Sequence, residues 1–235
     1  MNDLPVAPVP ERRPNTVLQT WTAALTRPSE QTYAEIASTP GAKASTAFLW
    51  VFLAALIQLF LAALVQGRLY PGLAQQFGLN PDTLGGRGGV GAILTGAICG
   101  APIGAVIQTI FFAIWVAIVQ WLARMFGGRG TYDQMAYTMA AIAAPYSLIT
   151  GLLTLFSAIP AVGICFGLFA LLAGLYVIAL NLLAIKGVNQ VGWGAALGAL
   201  FIPLLVIGFI CACLVGVSFA ALMPLIRQSV PNLNP

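Results

Sequence analysis

The chain has 235 residues, 60% hydrophobic and 7% charged, far below the roughly 25% charged residues of a soluble domain, so a water-soluble fold is excluded. It has no histidine, which excludes imidazole acid–base catalysis, Ser-His triads and His metal sites. The formal net charge of +4 reads as membrane orientation and not as nucleic-acid binding, because no basic run carries interleaved aromatics.

Residues 1–14 contain four prolines and are expected to be disordered. No apolar h-region precedes residue 44, so this stretch does not read as a cleavable signal peptide. Val17, Leu18, Trp21 and Leu25 then recur at helical spacing behind the capping-box pattern of Thr16 and Gln19. Arg27 and Pro28 break that helix, and Ser29 can cap a second one, with Tyr33 and Ile36 toward the membrane and Glu30 and Glu35 toward water. Residues 1–43 thus form a cytoplasmic arm with amphipathic or interfacial helices at 16–39. The arm is either an interfacial or partner-docking element or a collar that orients the first span, and the collar is preferred because ten residues make a weak anchor.

Charges are absent from 44–67, 88–123, 134–185 and 187–226. A bilayer core takes about 20 apolar residues per helix, and charge is costly at that depth. Five spans are predicted, at 46–66, 98–122, 135–158, 163–185 and 197–222, within a membrane domain at 44–226 that precedes a tail at 227–235. The fold class is an all-α polytopic membrane helix bundle. Pro71, Pro81 and the GGRGG cluster of 85–89 predict a loop over 67–91, and 88–97 reads as a helix approach that could be re-entrant. A tight hinge is predicted at 160–163, and a bend or tilt near Pro203. Arg12, Arg13, Arg27, Lys43, Arg124, Arg129 and Lys186 fall on one side, against Arg68, Arg87 and Arg227 on the other. That asymmetry predicts a cell-membrane protein with a cytoplasmic N-terminus and an extracytoplasmic C-terminus.

Several patterns bear on packing and chemistry. Gly96, Gly100 and Gly104 make a GxxxGxxxG on the second span, flanked by Ala97, Ala101 and Ala105. Such a face packs closely on another helix, of the same chain or of a second copy. Pro102 should bend it. Gln58, Gln108, Gln120, Ser147, Thr150, Thr154, Ser157 and Asn181 are the polar side chains of the spans. Ser147, Thr150, Thr154 and Ser157 share one face of the third span, and Asn181 with Pro145 marks where a hydrophilic pocket could form. The stripe either lines a solute path or, as preferred here, bonds back to its own helix and neighbours. The turn Gly127, Gly128, Arg129 and Gly130 before Thr131 lacks the lysine, strand and spacing of a phosphate loop. It is read as a tight turn with Thr131 as N-cap, the lesser reading being a lipid-phosphate contact through Arg124 and Arg129. Cys99, Cys165, Cys211 and Cys213 all fall within spans, and packing is preferred to metal binding because Cys211 and Cys213 face apart on a helix.

The stretch MFGGRGTYDQM at 125–135, leading into an apolar helix with Ala144, Pro145 and Tyr146, resembles the central signature of bacterial Yip1-domain proteins. Trp21, Leu25 and Pro28 are similar to that family's N-terminal lead-in, and Ala184, Ile185 and Lys186 followed by Gly194, Ala195 and Ala196 to its link between the last two helices. The likeness covers about residues 20–220. It implies a five-span membrane fold with a cytosolic N-terminus. Eukaryotic relatives are associated with small GTPases and vesicle membranes, but this chain has no long acidic or aromatic cytosolic segment, so a GTPase partner is not carried over.

The spans hold no acidic or basic residue apart from Lys186 at the end of the fourth, so a proton-coupled carrier lacks its ionisable group and an intramembrane protease its catalytic residues. An enzyme is not expected, nor a cofactor, a metal or a nucleic-acid partner. The expected function is a scaffold or adaptor acting through lipid, a membrane-protein partner or a second copy. Trp21, Tyr33, Arg124, Arg129 and Lys186 form its predicted surface. The alternative is a small channel or carrier for a neutral or lipidic solute, along Ser147, Thr150, Thr154, Ser157 and Asn181.

Overall fold

The computed structural model describes residues 16–76, 90–156 and 160–229, and side-chain surroundings within 16–65, 97–156 and 165–215. The expectations for 1–14, for the 77–89 part of the loop, for Ser157 and for the last residues of the tail lie outside these. Two short helices, α1 (Val17–Thr26) and α2 (Glu30–Ala37), precede five long ones. These are α3 (Ala44–Gln76), α4 (Val90–Met125), α5 (Tyr132–Phe156), α6 (Pro160–Asn189) and α7 (Trp193–Ser229), and the described residues contain no strand.

Local chemistry sets the helix starts. The Gln19 amide donates to Thr16 Oγ1 at 3.4 Å while the Thr16 amide donates to Gln19 Oε1 at 3.1 Å, a reciprocal capping box on α1. The Thr32 amide donates to Ser29 Oγ at 3.1 Å to open α2. Thr131 and Gln134 make a second capping box on α5. Between them, Asp133 Oδ1 accepts the first amide of α3 from Ala44 at 3.0 Å, so one carboxylate stabilises the N-terminus of a different helix.

Five of these helices are long and apolar enough to cross a membrane, over Ala44–Val65, Ala97–Met125, Tyr132–Phe156, Cys165–Asn189 and Trp193–Val215. The protein is a multi-pass integral membrane protein. The helices outrun the charge-free windows at several ends. α3 continues past Gly67 and Pro71, where a loop is predicted, to Gln76. α4 already begins at Val90 and runs continuously through Pro102, so 90–97 is helical. Pro160 opens α6 and is no hinge, since proline fits the first turn, where its missing N–H has no partner to lose. α6 passes Lys186 to end at Asn189, and α7 includes 227–229 of the expected tail. The physical reason is common to all: an established helix extends at little cost until a cap stops it, whereas charge gaps mark only the apolar slab.

α5 is central, packing on α1, α2, α3, α4 and α6, while α7 rests on α4 and α6. Gly151 permits the close crossing with α3, since a Cβ there would stand 3.0 Å from Gln58 Cα. The core gathers at the end where the arm folds back, around Tyr33, Val116, Val119, Met135, Met139, Ile142, Leu180 and Ile185, all fully buried. Farther along the spans, side chains such as Leu205 and Phe209 are more than 70% exposed, and lipid covers them.

Candidate functional site

Tyr33, Arg124, Arg129 and Lys186, which the sequence singles out, come together at the arm end, and the turn after α4 organises them. Gly127 has φ +89°, a conformation that favours glycine. Its amide donates to Arg124 O at 2.9 Å and the Gly128 amide to Ala123 O at 2.9 Å, the paired bonds of a Schellman motif. The Arg129 amide then donates to Asn189 O at 3.1 Å, joining the turn to the end of α6. Beneath it lies a buried polar node. Gln120 Nε2 donates to Gly130 O at 2.6 Å and to Asn189 Oδ1 at 2.9 Å, and Asn189 Nδ2 donates to Ile185 O at 3.2 Å. Gln120 is 3% exposed and Asn189 0%. Gly128 and Gly130 are required here, because a Cβ on either would come within 3.0 Å of Asn189.

The arm docks beside this node. Tyr33 is fully buried, and its hydroxyl donates to Ala24 O at 2.7 Å. Tyr176 donates to Leu25 O at 2.7 Å. Two tyrosines thereby satisfy carbonyls that the end of α1 leaves open. Burial pushes the Tyr33 phenol well above its ordinary range, with nearby Tyr176 adding to the effect. Lys186 Nζ is ion-paired with Glu30 Oε1 and lies 4.3 Å from the centre of the Trp193 ring. Trp21 stands edge-on to Trp50 at 5.8 Å, and Trp50 lies 4.8 Å from Tyr137. A cleft of about 330 Å³ between Glu30, Gln31, Lys186 and Gln190 opens on this surface. Arg124 and Arg129 are exposed on it, Arg124 also reaching Gly130 O at 3.3 Å.

The model of the Yip1 domain matches residues 22–215. The chain belongs to the Yip1-domain family. No curated protein and no solved structure matches it. The Gly-Gly-x-Gly stretch at 127–130 of this Yip1 domain is thus a packed turn keyed to Asn189.

Other residues of the Yip1 domain stand elsewhere. Gly104 packs on Leu59 of α3, where a Cβ would meet Leu59 Cδ1 at 2.8 Å. Gly100 is exposed, with nothing within 4 Å of where its Cβ would be. The buried ridge is the neighbouring one of Ala97, Ala101 and Ala105, while the surroundings of Gly96 lie outside the described residues. On the α5 stripe, Thr150 Oγ1 donates to its own helix at Tyr146 O, 3.0 Å away, and receives Gln58 Nε2 at 3.4 Å. Thr154 Oγ1 donates to Gly151 O at 2.6 Å, Asn181 Nδ2 to Val177 O at 2.9 Å, and Ser147 is half-buried. The four cysteines are exposed and unpaired, and no His/Cys/Asp/Glu cluster among the described residues could hold a metal.

Two residues carry more than their sequence signal. Asn189, unremarkable beside Gln190 at a helix end, is the hub of the node. Tyr33, read as part of an outward surface, is inside the fold. Trp21 is likewise packed on Trp50, so of the predicted surface Arg124 and Arg129 are exposed, while Lys186 is half-buried between Glu30 and the Trp193 ring.

Proposed function

We propose that this Yip1-domain protein is a non-enzymatic membrane scaffold or adaptor whose arm-end surface docks a membrane-protein partner. The observation that carries this reading is the contrast between the two ends of the described bundle. At the arm end, α1, α2, the 127–130 turn and the ends of α4 and α6 interlock into one ordered surface bearing Arg124, Arg129 and the Lys186–Glu30 pair. Arginine and aromatic side chains on a rigid frame suit protein recognition. Within the spans, Thr150, Thr154 and Asn181 bond their own helices, which favours packing over a solute path.

Arg129 is exposed and its only described bond is through the backbone. Arg129→Glu should therefore leave elution and melting in mild detergent unchanged while removing the proteins that co-purify with the unaltered chain. Retention of the same partners by the variant, or no partner for the unaltered protein, counts against the adaptor. Flux of a neutral solute into proteoliposomes, abolished by Thr150→Leu, would favour the carrier instead.

The orientation proposed for this surface is cytoplasmic, in the cell membrane, supported by Arg27, Lys43, Arg124, Arg129 and Lys186 at one end of the bundle. A cysteine at position 129 should resist a membrane-impermeant thiol reagent in intact cells and react after lysis. A reporter fused after Pro235 should be active only outside the cytoplasm. Reaction at 129 in intact cells overturns this orientation.

A further inference from the structure

We infer that α1 is seated in the headgroup-to-acyl boundary of the bilayer, with the face carrying Leu18, Thr22 and Thr26 turned to lipid and not to water. The first observation is depth. Tyr176, whose hydroxyl holds Leu25 O, stands about 20 Å along α6 from its end at Asn189, at about 1.5 Å per residue. An apolar slab about 30 Å thick, counted from Pro160, reaches about Leu180. The end of α1 therefore meets α6 inside that slab. The same count along α5 from Phe156 reaches about Tyr137, whose ring touches Trp50, which in turn packs on Trp21. Trp21, Trp50, Tyr137 and Tyr176 thus gather near one level, as aromatic residues do where a bilayer meets water.

The second observation is the chemistry of the outward face. No residue from 16 to 26 is charged. Leu18 is 69% exposed and Val17 43%. Thr22 Oγ1 donates to Leu18 O at 2.8 Å and Thr26 Oγ1 to Thr22 O at 2.6 Å. A hydroxyl bonded to its own helix needs no water, so this face tolerates an apolar medium. α1 touches α3 through Trp21 and Trp50 and α6 through Leu25 and Tyr176, and both spans carry exposed apolar side chains such as Leu53 and Leu172. The first charge after α1 is Arg27, exposed and long enough to reach headgroups from below. A ten-residue helix anchors weakly alone, but here Tyr33, Tyr176 and the Trp21–Trp50 contact fix it to the bundle. This inference is independent of the adaptor reading, since a lipid-seated α1 is compatible with any docking partner.

The test places one nitroxide on the full chain, after replacing its four cysteines with Ala, in vesicles of phosphatidylethanolamine and phosphatidylglycerol. Labels at Leu18→Cys, at Gln31→Cys on the exposed face of α2, and at Ile110→Cys on a lipid-facing span are compared by relaxation with oxygen, which partitions into lipid, and with a nickel chelate, which stays in water. Monodisperse elution of each labelled protein confirms its fold. The label at 18 should follow the oxygen-dominated pattern of 110 and differ from 31. A nickel response at 18 equal to that at 31 places α1 in water, and shielding from both reagents places it under a protein partner or a second copy; either result overturns the inference.

Discussion

Replacing Gly187 with Ala is expected to lift α2 off α6 while leaving the five spans in place. A Cβ at 187 would stand 2.5 Å from Glu30 O and 3.2 Å from Tyr33 Cβ, and a backbone carbonyl cannot rotate away as a side-chain tip can. Overpacking of this kind costs about 1–3 kcal/mol, and it falls where Glu30 pairs with Lys186 and Tyr33 is buried. Hydrogen exchange in detergent should show amides of 30–37 opening roughly tenfold or more faster, since about 1.4 kcal/mol corresponds to a factor of ten. Gly194→Ala, with nothing within 4 Å of the new methyl, should leave exchange unchanged. Equal exchange in the two variants would mean that α2 docks without the close approach at Gly187. Docking should also weaken in alkali. The folded Tyr33 phenol is held protonated above its ordinary value of 10.0, so its contribution is complete below that pH and is lost as pH rises toward the folded value.

The sequence carries the spans clearly because the bilayer forbids charge, and four uncharged windows leave room for five helices. Capping is equally local, so Thr16 with Gln19, Ser29 and Thr131 read directly as helix starts. Helix ends were harder to read. Pro71 and Gly67 signal a break, yet α3 continues to Gln76, because a helix already formed loses only one or two bonds at such residues. The site was only half legible. The glycine turn was visible as glycines before an N-cap, but its purpose depends on Asn189, which pairs with Gln120 across 69 positions. No periodicity encodes a single long-range amide pair. Tyr33 shows the same limit from the other side, since an amphipathic face tells which residues seek burial and leaves open whether bilayer, partner or the chain's own α6 provides it.

Asn189→Ala is expected to be the most destabilising of these changes, lowering stability by about 2–4 kcal/mol. The substitution removes the Oδ1 that receives Gln120 Nε2 at 2.9 Å and the Nδ2 that satisfies Ile185 O at 3.2 Å. A buried group left unpaired costs about 1–3 kcal/mol, and the void beside Gly128 and Gly130 adds a cavity penalty. For a chain of this size the loss corresponds to a fall of roughly 5–15 °C in the detergent melting temperature. Asn181→Ala is the matched control, because its described bond runs only to Val177 O of the same helix and its side chain is half-buried. Gln120→Ala should be costly alone, yet the double variant should lose less than the sum of the two, with a coupling of about 0.5–3 kcal/mol, since both side chains serve one contact. Strict additivity of the two single variants, or a melting temperature for Asn189→Ala equal to that of Asn181→Ala, would show that the turn is held by its Schellman bonds alone.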